Sequence, residues 1–207
     1  MFRNTLALLA LLPTITFALE SKVVSFGTPN DPMAVELKND LFVDTGGQAY
    51  VQEGFVKGEK GGIWVKVPAN SKRFKVDFFR VLISGSGAPN LEVFFQMQIG
   101  NDYAPGIGAE IENAASITPG PYWNDIPAKG LQRGLSCAKG GQLIGAAIEF
   151  THDGLPSIAR DQGPMVNIKA NSLMAIPGGW KYSVEYGLTG NWILRVMGHE
   201  AKEEECK

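Results

Sequence analysis

The stretch from Phe74 to Ile99 constrains the fold more than any other part of the chain. Its second half alternates: Leu91, Val93, Phe95, Met97 and Ile99 are interleaved with Glu92, Phe94, Gln96 and Gln98. That is the period-2 pattern of a strand with one buried face, with Phe94 the one exception. In the first half, Phe74, Val76 and Phe78 share one side of an extended chain and Val81 and Ile83 the other, so a bulge near Phe79-Arg80 is expected to switch the buried face. The linker Ser84-Gly85-Ser86-Gly87-Ala88-Pro89-Asn90 is turn chemistry throughout and predicts that the two strands are adjacent and antiparallel. Strands this rich in Phe, Val, Ile and Leu need a second layer over their apolar face. The expected architecture is an all-β, two-sheet antiparallel sandwich.

The rest of the chain agrees with that reading. No 11-residue window after the first 18 residues sustains apolar spacing at i, i+3 and i+4, so little or no helix is expected. Only 19% of the 207 residues are charged, while there are 25 Gly and 12 Pro, as many short strands joined by turns require. Lys22 to Phe26 reads as a short strand. Tyr50–Lys57 and Ile63–Val67 read as a hairpin around Gly58 to Gly62, and Gln142 to Phe150 reads as a strand buried on both faces as far as Glu149. The closing strand, Asn191 to Met197, is expected to turn Trp192, Leu194 and Val196 inward.

Met1 to Ala18 has the form of a secretory signal peptide. Arg3 lies in a short polar start, Leu6 to Leu12 is apolar, and Thr16-Phe17-Ala18 supplies small residues before the expected cut. The apolar run is too short for a transmembrane segment. The expected organisation is therefore residues 1–18 as signal peptide, 19–198 as one domain and 199–207 as a charged tail, exported to the periplasm, the cell surface or beyond. Cys137 and Cys206 are the only cysteines. Export predicts that they pair as a disulfide, the alternative being one buried and one frayed thiol.

Candidate functional residues are few. Trp64 falls on the face opposite Ile63, Val65 and Val67, where it is either covered by a neighbouring loop or a stacking platform for a sugar or an apolar partner. Tyr122 and Trp123 lie in a Gly/Pro-rich stretch where burial is not obligatory, and Tyr103, Trp180, Tyr182 and Tyr186 are further aromatics near turns. Glu110 and Glu112, two apart, point the same way along a strand. They form either a solvated face, a metal-binding pair or an acid and base at the roughly 5 to 9.5 Å that glycoside hydrolysis needs. Asp102, Asn124 and Asp125 would add oxygen ligands for calcium, but no spacing of the EF-hand kind supports it, and no cofactor is expected. The net charge of −2, without a Lys/Arg block, argues against a nucleic-acid partner. No Gly-x-Ser-x-Gly is present, and two His and two Cys lack zinc-site spacing.

The strings EFTHDGLPSIARD and AIPGGWKYSVEYGLTGNWILRV, with the earlier GGIWVKVPANSKRFKVDFFRVLISG, resemble the jelly-roll β-sandwich domains of secreted bacterial proteins, which are often appended to peptidases and other exported enzymes. The matching positions are Pro156 and Asp161, then Gly190, Asn191, Trp192, Ile193, Leu194 and Arg195. The resemblance implies a jelly-roll fold and export. It supplies no catalytic residues, and it implies that Trp192 and Arg195 are structural. The first functional expectation is a noncatalytic binding module for a glycan or a surface protein, with Trp64, Tyr122 and Trp123 at the site. The alternatives are a structural or adhesive surface protein and a polysaccharide-acting enzyme using Glu110 and Glu112. An oligomeric state is not legible.

Overall fold

The computed structural model describes residues 34–42, 49–52, 55–84, 90–99, 102–111, 122–128, 137–151, 157–161, 163, 172–176 and 179–206. The expected signal peptide and the strand from Lys22 lie outside them. The described strands are β1 (Ala34–Leu37), β2 (Tyr50–Val51), β3 (Lys60–Lys66), β4 (Phe74–Ser84), β5 (Asn90–Ile99), β6 (Asp102–Ile111), β7 (Tyr122–Pro127), β8 (Cys137–Ala138), β9 (Leu143–Glu149), β10 (Ser157–Arg160), β11 (Leu173–Ile176), β12 (Gly179–Tyr182) and β13 (Leu194–Glu200). Two 3-10 turns, Ser183–Tyr186 and Glu203–Cys206, are the only helical pieces among the described residues. All pairings among the described residues are antiparallel, and the strands form two sheets packed face to face as a β-sandwich. A six-stranded sheet runs β12-β11-β3-β9-β5-β6, and a seven-stranded one runs β1-β13-β4-β10-β2 with β7 and β8 also paired to β4.

The expected hairpin of β4 with β5 does not form, because the two strands belong to different sheets. Both edges of β4 are occupied, one by β13 and then β10, the other by β8 and β7, so no edge remains for β5. β5 pairs instead with β6 and β9. The same correction applies to the hairpin expected around Gly58 to Gly62. β2 pairs with β10 in one sheet, while β3 pairs with β9 and β11 in the other. In both places the turn residues specify a reversal of direction, and strand partners elsewhere decide whether the chain re-pairs or crosses over.

The bulge in β4 exists two residues before its expected place. Met197 opposes Phe78 and Gly198 opposes Val76, which leaves Asp77 as the extra residue on β4. Phe74 and Val76 before it, and Phe79, Val81 and Ile83 after it, thereby face one core. From the other sheet Ile63, Val65, Ile144, Ala146 and Ile148 meet them. β9 is buried on both faces between its ends, as its apolar run predicts.

The closing segment is held by polar groups that leave the core intact. Asp161 Oδ1 accepts the backbone N–H of Asn191 at 2.9 Å and its side-chain amide at 3.0 Å, while Oδ2 accepts the N–H of Leu41 at 2.6 Å. Gly190 has φ +87°, and a Cβ there would lie 2.0 Å from the Asp161 carbonyl oxygen, so this position requires glycine. Trp192 is 1% exposed and donates its indole N–H to Leu173 O at 3.1 Å, crossing from one sheet to the other. Arg195, also 1% exposed, binds Asp40 through Nε at 3.0 Å and Nη2 at 2.7 Å, Glu36 at 3.0 Å and the Phe42 carbonyl at 3.1 Å. These bonds clamp residues 36–42 onto the seven-stranded sheet. Burial holds the Asp40 carboxyl above its ordinary range, with Arg195 opposing that rise.

Candidate functional site

Two of the three candidate ligand contacts, Trp64 and Trp123, are buried. Trp64 is 1% exposed, packed with Ala147 and Leu173 and with Leu143, Trp180 and Tyr182 on the side of the six-stranded sheet away from the inter-sheet core. Alternation places it off that core, and a second apolar cluster covers it. Trp123 is 2% exposed in a cluster with Phe42, Ala49, Leu82, Ala159 and Ile193. Its ring meets Phe42 edge-on at 5.9 Å and lies 4.6 Å from the Arg195 guanidinium. Neither ring can stack a ligand without displacing these neighbours, so of the two alternatives for Trp64 the covered one is observed. Tyr122 is placed by its backbone opposite Ile83 on β4.

The remaining candidates are dispersed. Glu110 lies in β6 opposite Glu92, and Glu112 is outside the described residues. Asp125 is engaged by Arg80, with Nε to Oδ1 at 2.8 Å and Nη2 to Oδ2 at 2.9 Å, so its oxygens form a buried ion pair. Cys137 and Cys206 are disulfide-bonded, with 5.8 Å between their Cα atoms.

A concave site does form where the two sheets part. A cleft of about 240 Å³ is lined by Gln52, Phe55, Glu59, Met174, Ile176, Tyr186 and Leu188. Sheet order explains its place: β2 ends one sheet and β11-β12 ends the other, so the sandwich is open along that side. Met174 and Ile176 come from β11, and the 3-10 turn after β12 brings in Tyr186 and then Leu188. The floor is closely packed: Phe55 stacks on Phe150 at 4.0 Å and 14° and meets Trp192 at 6.1 Å.

The polar groups of the cleft are oriented by their own bonds. Glu59 Oε2 accepts the Val56 N–H at 2.9 Å and holds the turn that carries Phe55. The Gln52 N–H donates to Ile158 O at 3.0 Å, and its side-chain oxygen accepts from Arg160 Nε at 3.4 Å. Arg160 also donates to the Thr189 carbonyl, joining β10 to the segment that carries Leu188. Lys181 Nζ lies 5.8 Å from the Tyr186 ring centre. The result is an apolar pocket with one half-buried phenol, one amide and one carboxylate. It can hold a small amphipathic group by contact and hydrogen bonding. Of these residues the sequence singles out Tyr186 alone; the others come from separate segments with no shared local pattern.

No family model matches this sequence, and no curated protein matches it. Among solved structures, the chain is similar to the cysteine protease and lectin-like domains of Cwp84, a surface layer associated protein of Clostridium difficile, with a TM-score of 0.51 and 11% sequence identity. The match covers 83% of this chain and 37% of that one, and at this identity it is a likeness of fold.

Proposed function

We propose that this chain is an exported, noncatalytic binding module that holds a glycan in the cleft between Gln52, Glu59 and Tyr186. The composition of that cleft carries the reading. A sugar ring has an apolar C–H face and a rim of hydroxyls; the Tyr186 ring with Ile176 and Leu188 suits the first, and the Gln52 amide and Glu59 carboxylate suit the second. Drug-sized ligands fill about 300 to 1,000 Å³, so a cleft of about 240 Å³ suits a single ring or a chain end. The fold likeness to a structure that includes a lectin-like domain supports the same reading. Export is supported by the disulfide and by the signal-peptide form of residues 1–18, with Ala18 as the proposed last residue removed.

A surface-protein ligand is the second reading. It is favoured by the exposure of Val56 (45%) and Val184 (38%), each next to or near a cleft residue in sequence, which would suit an apolar side chain from a partner. A glycan array probed with the mature chain and with Tyr186→Ala tests the first reading. The expected result is retention of a saccharide by the wild type, weakened roughly 5- to 30-fold in the variant, or about 1 to 2 kcal/mol. An array on which nothing is retained, or a variant that binds as well as the wild type, would refute it.

A further inference from the structure

The C-terminal segment carries a cluster that neither the fold nor the cleft requires. β13 ends at Glu200, the Ala201 N–H still donates to Arg73 O at 3.0 Å, and the Glu203–Cys206 turn then returns toward β8. β13 and β8 flank β4 on opposite edges, so the Cys137–Cys206 disulfide ties the turn across β4. His199, partly exposed, lies one residue before the end of β13. Its Nδ1 is 2.7 Å from Asp77 Oδ2, on the bulge residue of β4, and its Nε2 is 3.5 Å from Glu205 Oε2, on the turn itself.

Carboxylate oxygens only accept hydrogen bonds when ionised, so an imidazole facing one from each ring nitrogen satisfies both only when both nitrogens carry protons. A neutral ring must present a lone pair to one carboxylate. We propose that His199 is a pH-sensitive clasp: as imidazolium it holds the Glu203–Cys206 turn onto β4, and on losing its proton it releases the turn, which the disulfide keeps tethered.

The neighbouring carboxylates support this polarity, and Lys75, a like charge, opposes it. Asp77 and Lys75 face the site from β4, with Lys75 directly opposite His199 in the ladder. Glu205 comes from the turn and also accepts the Lys202 N–H at 3.2 Å, while Glu200 on β13 accepts the N–H of Lys72 at 3.4 Å. Partial burial pulls the His199 pKa down, but the contacts to Asp77 and then Glu205 outweigh it and leave the pKa raised above its ordinary 6.5. Because the folded value is raised, the clasp is fully formed below the unfolded pKa and is lost as pH rises through the folded one.

Proton NMR of the His199 ring, assigned by its disappearance in His199→Gln, combined with hydrogen exchange of the 201–206 amides across pH, tests the clasp. Exchange rates are corrected for intrinsic base catalysis. The expected result is an apparent pKa above 6.5 that falls in both Asp77→Asn and Glu205→Gln. Protection of the 201–206 amides should fall in the wild type as pH rises through that value, and in His199→Gln it should be low at every pH. A midpoint at or below 6.5, or protection that is independent of pH in the wild type, would overturn the proposal. So would His199→Gln retaining wild-type protection, since the turn would then be held by the disulfide and backbone alone.

Discussion

Replacing Arg195 by Met is the sharpest test of how the sandwich is held closed. The substitution keeps an unbranched apolar stem under Trp123 but removes every hydrogen bond to Asp40, Glu36 and the Phe42 carbonyl. Glu36 is partly exposed and can turn to water, but the Asp40 side chain is 0% exposed and is left as a buried carboxylate without its counterion. Breaking a buried pair from one side costs about 3 to 5 kcal/mol. For a domain of this size that corresponds to a fall in Tm of roughly 6 to 20 °C. Asp40→Leu combined with Arg195→Met removes both charges and should recover most of the loss, to within about 1 to 2 kcal/mol of the wild type. Urea unfolding with the disulfide intact gives both values from the midpoint and slope.

The deficit of Arg195→Met should also depend on pH. Burial already raises the Asp40 pKa, and loss of Arg195 raises it further. An acid whose folded pKa exceeds its unfolded value favours the fold below the unfolded pKa, and that advantage disappears as pH rises through the folded one. The variant should therefore be less impaired at pH 5 than at pH 7.5. A single substitution costing under about 1 kcal/mol, or a double variant as unstable as the single, would contradict the view that Arg195 serves to neutralise Asp40 and fasten residues 36–42.

Other perturbations follow from the same packing. Gly198→Ala would place a Cβ 2.1 Å from the Lys75 carbonyl and 2.7 Å from the Phe74 ring, so a loss of about 1 to 3 kcal/mol or more is expected in thermal unfolding. Replacing Cys137 and Cys206 by Ala opens a loop with a sequence separation of 69 and should cost about 4 kcal/mol; alkylation of the untreated wild type without reductant should label neither cysteine. Trp64→Ala should cost about 3 to 5 kcal/mol of stability, as Trp192→Ala should, because both rings are 1% exposed; a loss of ligand retention by Trp64→Ala at unchanged Tm would instead restore Trp64 as a contact residue.

The parts of the fold that were legible in the sequence are those set by local periodicity. The apolar run of Leu143–Glu149 announces burial on both faces, and Trp192, Leu194 and Val196 announce an inward face on the closing strand. Strand partnership was not legible, because Ser84 to Asn90 encodes a change of direction and says nothing about which edge is vacant. Trp64 shows a related limit. Period-2 alternation correctly sets it apart from Ile63 and Val65, yet its cover comes from Leu173 and Trp180, more than a hundred residues later. The cleft was almost invisible for the same reason, since Gln52, Met174 and Tyr186 meet only once the two sheets stack. The Gly190 to Arg195 string was legible as a closing motif, and the bonds of Asn191 to Asp161 and of Arg195 to Asp40 give its physical reason.

The most direct test of the central claim is a methyl NMR titration of the mature chain with the glycan best retained on the array. The methyl signals of Met174, Ile176 and Leu188 should move together and saturate, while those of Leu173 and Ile193, in the two clusters outside the inter-sheet core, stay in place. Shifts confined to Leu173 or Ile193, with the three cleft methyls unmoved at saturating glycan, would contradict the assignment of the cleft as the binding site.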